Sequence, residues 1–98
     1  MNKPMKILVT DDTEANLSLI STVVSKLGHK VIQARNGQEA VDLFQAEAPD
    51  MILMDVMMPV MDGYQATAEI RKLAGNKWVP VIFLSAKAQD SPMPPMAV

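Results

Sequence analysis

The sequence predicts an α/β protein built on a doubly wound parallel sheet. The predicted fold has about four strands and three helices. Short apolar runs of strand length alternate along the chain with longer segments whose apolar residues recur every three or four positions. Each strand-like run is followed by a helix-like segment and not by a hairpin turn. This alternation is typical of parallel strands joined by right-handed crossovers, with helices on both faces of the sheet.

The first strand is predicted at residues 6–10 (KILVT), a β-branched and apolar run that ends in two aspartates. Thr13 is placed to cap the following helix, and Glu14 complements the positive end of the helix dipole. Gly28 is a typical residue for the end of that helix. The apolar stripe that predicts the helix consists of Leu17, Ile20, Val24 and Leu27.

A second strand is predicted at residues 29–34, where the more polar composition favours a position at the edge of the sheet. Asn36 is a suitable N-cap for the second helix. Pro49 ends that helix, because the residue before a proline disfavours the helical conformation. The stripe of this helix consists of Ala40, Val41, Phe44 and Ala48.

The third strand starts at Met51, and its apolar run ends in Asp55 before the chain turns. An unbroken apolar run bounded by turn residues is typical of a strand buried on both faces. A third helix is predicted over residues 63–73 and a fourth strand over residues 79–85.

The domain is predicted to span residues 1–90, and residues 91–98 are predicted to form an extended or disordered tail. Three prolines within residues 92–95 exclude a regular helix and a central strand there.

The composition is that of a single small globular domain. The chain has 98 residues, of which 49% are apolar and 20% charged, and its net charge is -2. This balance excludes the basic surface typical of nucleic-acid or anionic-membrane binding. Cysteine is absent, which excludes disulfides and thiolate catalysis. The apolar runs are too short to cross a bilayer, and no apolar leader follows Met1, so we expect a cytoplasmic protein.

Acidic residues follow two of the predicted strands. Asp11 and Asp12 follow the first, and Asp55 ends the third. Because parallel strands bring their carboxyl ends to one edge of a sheet, where α/β proteins bind ligands, we expect the three carboxylates to converge. Close carboxylates repel one another unless protons or a cation neutralise them, and such oxygen ligands suit Mg²⁺.

Each of these residues also has a plainer explanation. An Asp-Asp pair in a loop is commonly just solvated, and a lone aspartate at a strand end can bond to its own turn. Ser85, after the fourth strand, is alone a turn residue. Together, at the same edge of the sheet, the acids favour a metal site, and Ser85 adds a hydroxyl able to donate to a phosphoryl oxygen.

The sequence resembles the receiver domain of two-component response regulators. The resemblance rests on residues 7–12 (ILVTDD), 55–63 (DVMMPVMDG) and 80–86 (PVIFLSA) and on their spacing, and it extends from residue 5 to about residue 90. It implies a flavodoxin-like (CheY-like) fold. It also implies a phosphoacceptor module, not an enzyme, whose partner is a histidine kinase or a histidine phosphotransfer protein.

The resemblance implies a role for each site residue. Asp55 is the implied phosphoacceptor, and Ser85 the residue that hydrogen-bonds the phosphoryl group. Asp12 is implied to ligate Mg²⁺ directly and Asp11 through water, while Asp55 and the backbone carbonyl of Met57 complete the protein ligands. Phosphoryl transfer requires mainly alignment and charge neutralisation, which a cation and convergent donors supply.

The sequence departs from the family pattern after its fourth strand. The fourth helix, the fifth strand with its lysine, and the fifth helix have no match, so the resemblance implies a C-terminally truncated receiver. We therefore expect an exposed fourth-strand edge and an uncovered sheet face, and we predict a homodimer that buries one of them.

Two other functions stay open. The first is a degenerate receiver that serves for dimerisation or protein interaction without efficient phosphotransfer. The second is a phosphatase or phosphotransferase with an aspartyl nucleophile. It is disfavoured because Asp11 and Asp12 are adjacent and lack the Asp-x-Asp spacing of such enzymes.

Overall fold

The computed structural model describes residues 4–55 and 63–84, which form a four-stranded parallel sheet with three helices. The strands are β1 (Lys6–Thr10), β2 (Lys30–Ala34), β3 (Met51–Asp55) and β4 (Val81–Leu84), and the helices are α1 (Glu14–Lys26), α2 (Gly37–Glu47) and α3 (Gly63–Ala74). The strand order is β2-β1-β3-β4, and every pair is parallel. The predicted fold class is therefore confirmed, and the edge position predicted for the second strand is correct.

The central strands β1 and β3 carry the core of the molecule. Leu8 and Ile52 are fully buried in one apolar cluster with residues of α2 and α3. Val9 is fully buried in a second cluster with residues of α1, because successive side chains of a strand point to opposite faces. Both strands are thus held between two packed layers up to their carboxyl ends.

Helix α1 starts after Thr13, as predicted, but the Thr13 side chain makes no capping hydrogen bond. Its amide instead donates to Oδ1 of Asp11 at 2.9 Å, so an aspartate side chain organises the start of the helix. Leu27, predicted in the apolar stripe, is exposed because it lies at the C-cap, beyond the last turn that faces the sheet. Gly28 follows with φ +94°, a left-handed conformation that glycine adopts without strain.

Helix α2 confirms the predicted cap, since Oδ1 of Asn36 accepts a hydrogen bond from the amide of Glu39 at 2.8 Å. Ala48 is the exception in the predicted stripe. It is exposed and ends the helix with φ +49°, because it precedes Pro49 and is kept out of the right-handed helical region.

Strand β4 begins two residues later than predicted, at Val81. Before it, the carbonyl of Val79 accepts a hydrogen bond from Nη1 of Arg71 at 2.7 Å, and the carbonyl of Pro80 accepts one from the amide of Ile52 at 3.0 Å. The Arg71 guanidinium also lies 5.0 Å from the ring centroid of Trp78, which is exposed. These contacts hold the α3–β4 connection against the amino edge of the sheet.

The predicted domain limit at residue 90 and the predicted tail at residues 91–98 fall outside the described residues. Within the described ranges, no helix combines the length and the apolar character that a membrane span needs.

Substitutions in α1 test this packing. Leu17 is fully buried, whereas Leu19, two positions further along, is 63% exposed. We expect Leu17→Ala to lower the free energy of unfolding by roughly 2–5 kcal/mol, because it opens a cavity between α1 and the sheet. The matched control Leu19→Ala should change it by less than about 0.5 kcal/mol. Urea titrations of the two variants measure the difference, and equal losses would contradict the burial of this helix face.

Candidate metal centre

Three carboxylates converge at the carboxyl edge of the sheet, as the sequence predicts. Asp11, Asp12 and Asp55 each offer an oxygen, and the three oxygens lie within 4.8 Å of one another. Asp11 is 1% exposed and Asp55 is 2% exposed, whereas Asp12 is exposed to solvent. Two acids of the cluster are thus withdrawn into the protein, and the third faces the outside.

The sheet register brings the two buried acids together. Thr10 of β1 pairs with Met54 of β3, so the next residues along the two strands, Asp11 and Asp55, emerge side by side. The amide of Asp11 also donates to the carbonyl of Ala34 at 3.1 Å, which fastens the end of β1 to the end of β2. Asp55 itself still pairs with Leu84 of β4.

The two carboxylate oxygens of Asp11 have different surroundings. Its Oδ1 accepts the amide of Thr13, while its Oδ2 is buried and has no hydrogen-bond partner among residues 4–55 and 63–84. A buried carboxylate oxygen without a donor is costly.

A divalent cation, or a water molecule bound to it, would remove this cost. Mg²⁺ prefers oxygen ligands, usually one or two carboxylates together with waters, and leaves positions for a phosphate oxygen. The three aspartates therefore fit Mg²⁺, and exposed Asp12 keeps the site in contact with solvent.

Two predicted site residues cannot be placed in this arrangement. Ser85 and Met57 lie outside the described residues, so the phosphoryl hydrogen bond and the carbonyl ligand remain predictions.

The sequence reasoning missed one charged residue at this edge. Arg35 directly follows β2 and forms a two-pronged ion pair with Glu14 of α1, with Nε–Oε1 at 3.1 Å and Nη2–Oε2 at 3.0 Å. The hydrogen bond to Glu14 and the negative charge of Glu14 raise the pKa of Arg35 above its ordinary value. The two residues are 21 positions apart, so no local pattern reveals the pair.

Comparison with known sequences gives consistent matches. Residues 7–95 match the profile of the response regulator receiver domain. Protein PilH of Pseudomonas aeruginosa is 37% identical over 86 residues, which cover 88% of this chain and 71% of PilH. The probable transcriptional regulator ycf27 of Guillardia theta is 41% identical over 81 residues, which cover 83% of this chain and 31% of that protein. The sensor kinase/phosphatase LuxN of Vibrio campbellii is 38% identical over 89 residues, 91% of this chain and 10% of LuxN.

Solved structures agree with these matches. The receiver domain of the sensor histidine kinase PA1611 from Pseudomonas aeruginosa superposes with a TM-score of 0.81 at 36% identity, over 91% of this chain and 73% of that one. It contains a magnesium ion in its active-site cleft. The receiver domain of the Arabidopsis thaliana histidine kinase CKI1, complexed with Mg²⁺ and BeF₃⁻, gives 0.76 at 32% identity, over 84% and 66%. These superpositions confirm the flavodoxin-like (CheY-like) fold.

The repulsion within the acid cluster predicts the effect of neutralising one member. Asn replaces Asp11 without a change of shape, and its amide oxygen still accepts the bond from Thr13. In the absence of divalent cations, we expect Asp11→Asn to raise the free energy of unfolding by about 1–2 kcal/mol, because one buried charge is removed. Excess Mg²⁺ should stabilise the wild type more than this variant, because the variant loses one of the three carboxylates.

Chemical unfolding with EDTA and with MgCl₂ measures both effects. Asp42→Asn on the outer surface of α2 is the control, because it removes the same charge at an exposed position. A less stable Asp11→Asn in EDTA would contradict the repulsion argument.

Proposed function

This chain belongs to the response regulator receiver domain family, and on that premise we propose that it accepts a phosphoryl group on Asp55 within a two-component phosphorelay. The donor is a phosphohistidine of a histidine kinase or of a histidine phosphotransfer protein, and the reaction depends on Mg²⁺. The observation that carries the proposal is the convergence of three carboxylates within 4.8 Å at the ends of two neighbouring central strands.

Asp55 supplies the nucleophile in this proposal. One of its carboxylate oxygens forms a bond to phosphorus while the bond from phosphorus to the donor's imidazole nitrogen breaks, and the imidazole leaves with that electron pair. Pairing of β3 with strands on both sides supports Asp55 in this role, because it holds the carboxylate in one place as the donor approaches. The product is an acyl phosphate, and the chain acts once as an acceptor and not as a turnover enzyme.

Mg²⁺, when bound, neutralises charge on the phosphoryl oxygens. Asp12 is the proposed direct ligand, consistent with its exposure to solvent. Asp11 would hold the cation through a water molecule with its Oδ2, since its other oxygen is engaged with Thr13. The magnesium ion in the cleft of the PA1611 domain supports the same ion here. The Met57 carbonyl is proposed as the remaining ligand, and the Ser85 hydroxyl as the donor to the phosphoryl group.

Phosphorylation by a small-molecule donor tests the proposal. We expect incubation with acetyl phosphate and Mg²⁺ to increase the intact mass by one phosphoryl group, and EDTA to abolish the increase. Asp55→Asn should show no increase, because an amide is not a nucleophile for phosphorus at neutral pH. Asp42→Asn is the control and should react like the wild type. A phosphoryl group retained in Asp55→Asn would refute the assignment.

Tryptophan fluorescence is a poor reporter for this experiment. Trp78, the single tryptophan of the chain, precedes β4 and therefore lies at the amino edge of the sheet, whereas Asp55 lies at the carboxyl edge. Mass spectrometry reads the acceptor directly.

A second candidate function is supported by the edge of the sheet. Within the described residues, β4 pairs on one side only, with β3, and its Ile82 and Phe83 are 47% and 39% exposed. Half-exposed apolar residues on an edge strand are an opportunity for pairing with another chain. We propose a homodimer through this edge, which would also serve a receiver that interacts without efficient phosphotransfer. The cytoplasmic location stays a prediction.

Sedimentation equilibrium tests the dimer. We expect a monomer–dimer equilibrium at micromolar concentration, and we expect Ile82→Lys to shift it to monomer because a charge would be buried at the pairing edge. Leu19→Lys, on the exposed side of α1, is the control and should leave the equilibrium unchanged. A wild type that is monomeric throughout would rule the dimer out.

A further inference from the structure

A cationic residue lies at the same carboxyl edge of the sheet as the acid cluster. Arg35 directly follows β2, the neighbour of the strand that leads into Asp11. We propose that Arg35 is a positioning residue for the cation site: its guanidinium clamps the start of α1 and thereby holds the loop that carries Asp11 and Asp12. Only the Mg²⁺ part of this proposal rests on the proposed function.

The main chain at Arg35 is anchored to α2 by hydrogen bonds. The backbone amide of Arg35 donates to Oε1 of Glu39 at 2.8 Å, and the amide of Glu39 donates to Oδ1 of Asn36 at 2.8 Å. The two bonds fix Arg35 and Asn36, the two residues before α2, to the first turn of that helix. Because they involve the Arg35 main chain, they survive a change of its side chain.

The other end of the clamp is the first residue of α1. Both oxygens of Glu14 accept hydrogen bonds from the Arg35 guanidinium, from Nε and from Nη2. A two-pronged pair of this kind fixes the orientation of both groups as well as their distance. The start of α1 is thereby tied to the junction of β2 and α2.

Two hydrogen bonds from backbone amides connect the clamp to the acid cluster. Thr13, next to Glu14, donates its amide to Oδ1 of Asp11, and the amide of Asp11 donates to the carbonyl of Ala34. Asp12 lies between these bonds along the chain and is exposed to solvent. The clamp acts on the loop that carries Asp12 by holding Thr13 and Glu14, the residues that follow it.

A field effect and a positioning effect predict different changes of cation affinity in the two variants. If the pair acted only through its field, removal of the positive Arg35 would tighten cation binding, and removal of the negative Glu14 would weaken it. If the pair acts as a clamp, loss of either partner frees the same loop and weakens binding in both cases. Exposed ion pairs contribute little to overall stability, so neither substitution is expected to unfold the protein.

The test is calorimetric titration of the full chain with MgCl₂. We expect Arg35→Gln and Glu14→Gln each to raise the dissociation constant by about three- to tenfold, at or below the range seen when outer partners of metal ligands are removed. Arg35→Lys keeps the charge but loses the two-pronged geometry, and we expect it to resemble Arg35→Gln. The matched controls are Glu69→Gln and Lys72→Gln, which break an exposed ion pair on α3 and should leave the constant unchanged.

A second measurement needs no cation. Amide hydrogen exchange in EDTA reports the bond from Thr13 to Asp11, and we expect the Thr13 amide to exchange several-fold faster in Arg35→Gln and in Glu14→Gln than in the wild type. If the wild type binds no Mg²⁺, the proposed function fails, and exchange alone then decides whether the clamp exists.

Three outcomes would overturn the clamp. The first is opposite shifts of the dissociation constant in Arg35→Gln and Glu14→Gln, which would indicate a field effect. The second is unchanged Thr13 exchange in both variants. The third is wild-type behaviour of Arg35→Lys in both measurements, which would show that charge without the two-pronged geometry is sufficient.

Discussion

The parallel pairing of β1 with β3 brings two buried carboxylates to adjacent positions at one edge of the sheet. Thr10 is paired with Met54, and the chain continues from these residues into Asp11 and Asp55. Both strands are packed on both faces, so the repulsion between the acids cannot be relieved by moving them apart. The fold therefore holds three carboxylates close together, an arrangement whose donor set suits a divalent cation.

The same edge contains buried side-chain oxygens that are not satisfied within the described residues. Oγ1 of Thr10 and Oδ2 of Asp11 are buried without a hydrogen-bond partner in the described part of the chain, while the core below them is apolar. Departures from full polar satisfaction tend to concentrate where a protein binds or reacts. Their position here supports the proposed cation site at this edge.

The three acids are supported in different ways. Asp55 belongs to a central strand and Asp11 is anchored by backbone bonds, so their positions follow from the sheet. Asp12 is exposed and depends on the conformation of the loop before α1. The contact between Arg35 and Glu14 connects that loop to α2, because the Arg35 amide is hydrogen-bonded to Glu39 of this helix. Helix α2 contributes no member of the acid cluster.

Much of this architecture could be predicted from local pattern. Strand runs, helical stripes, the Asn36 cap and the stop at Gly28 depend on residues close together in the chain, and the strand ends with their acids follow from them. The errors were at boundaries: the first residue of β4, and Leu27 and Ala48 at the helix ends, where a change of one residue turns a side chain away from the core.

Two features of the site required contacts between distant parts of the chain. One is the division of the Asp11 carboxylate between Thr13 and a buried position at the cluster, since burial depends on how α1 and the neighbouring strands pack. The other is the pairing of Arg35 with Glu14, which lie 21 positions apart and meet because β2 aligns beside β1. Sequence periodicity specifies which face of an element is apolar. The geometry of charged groups between elements arises when those faces pack.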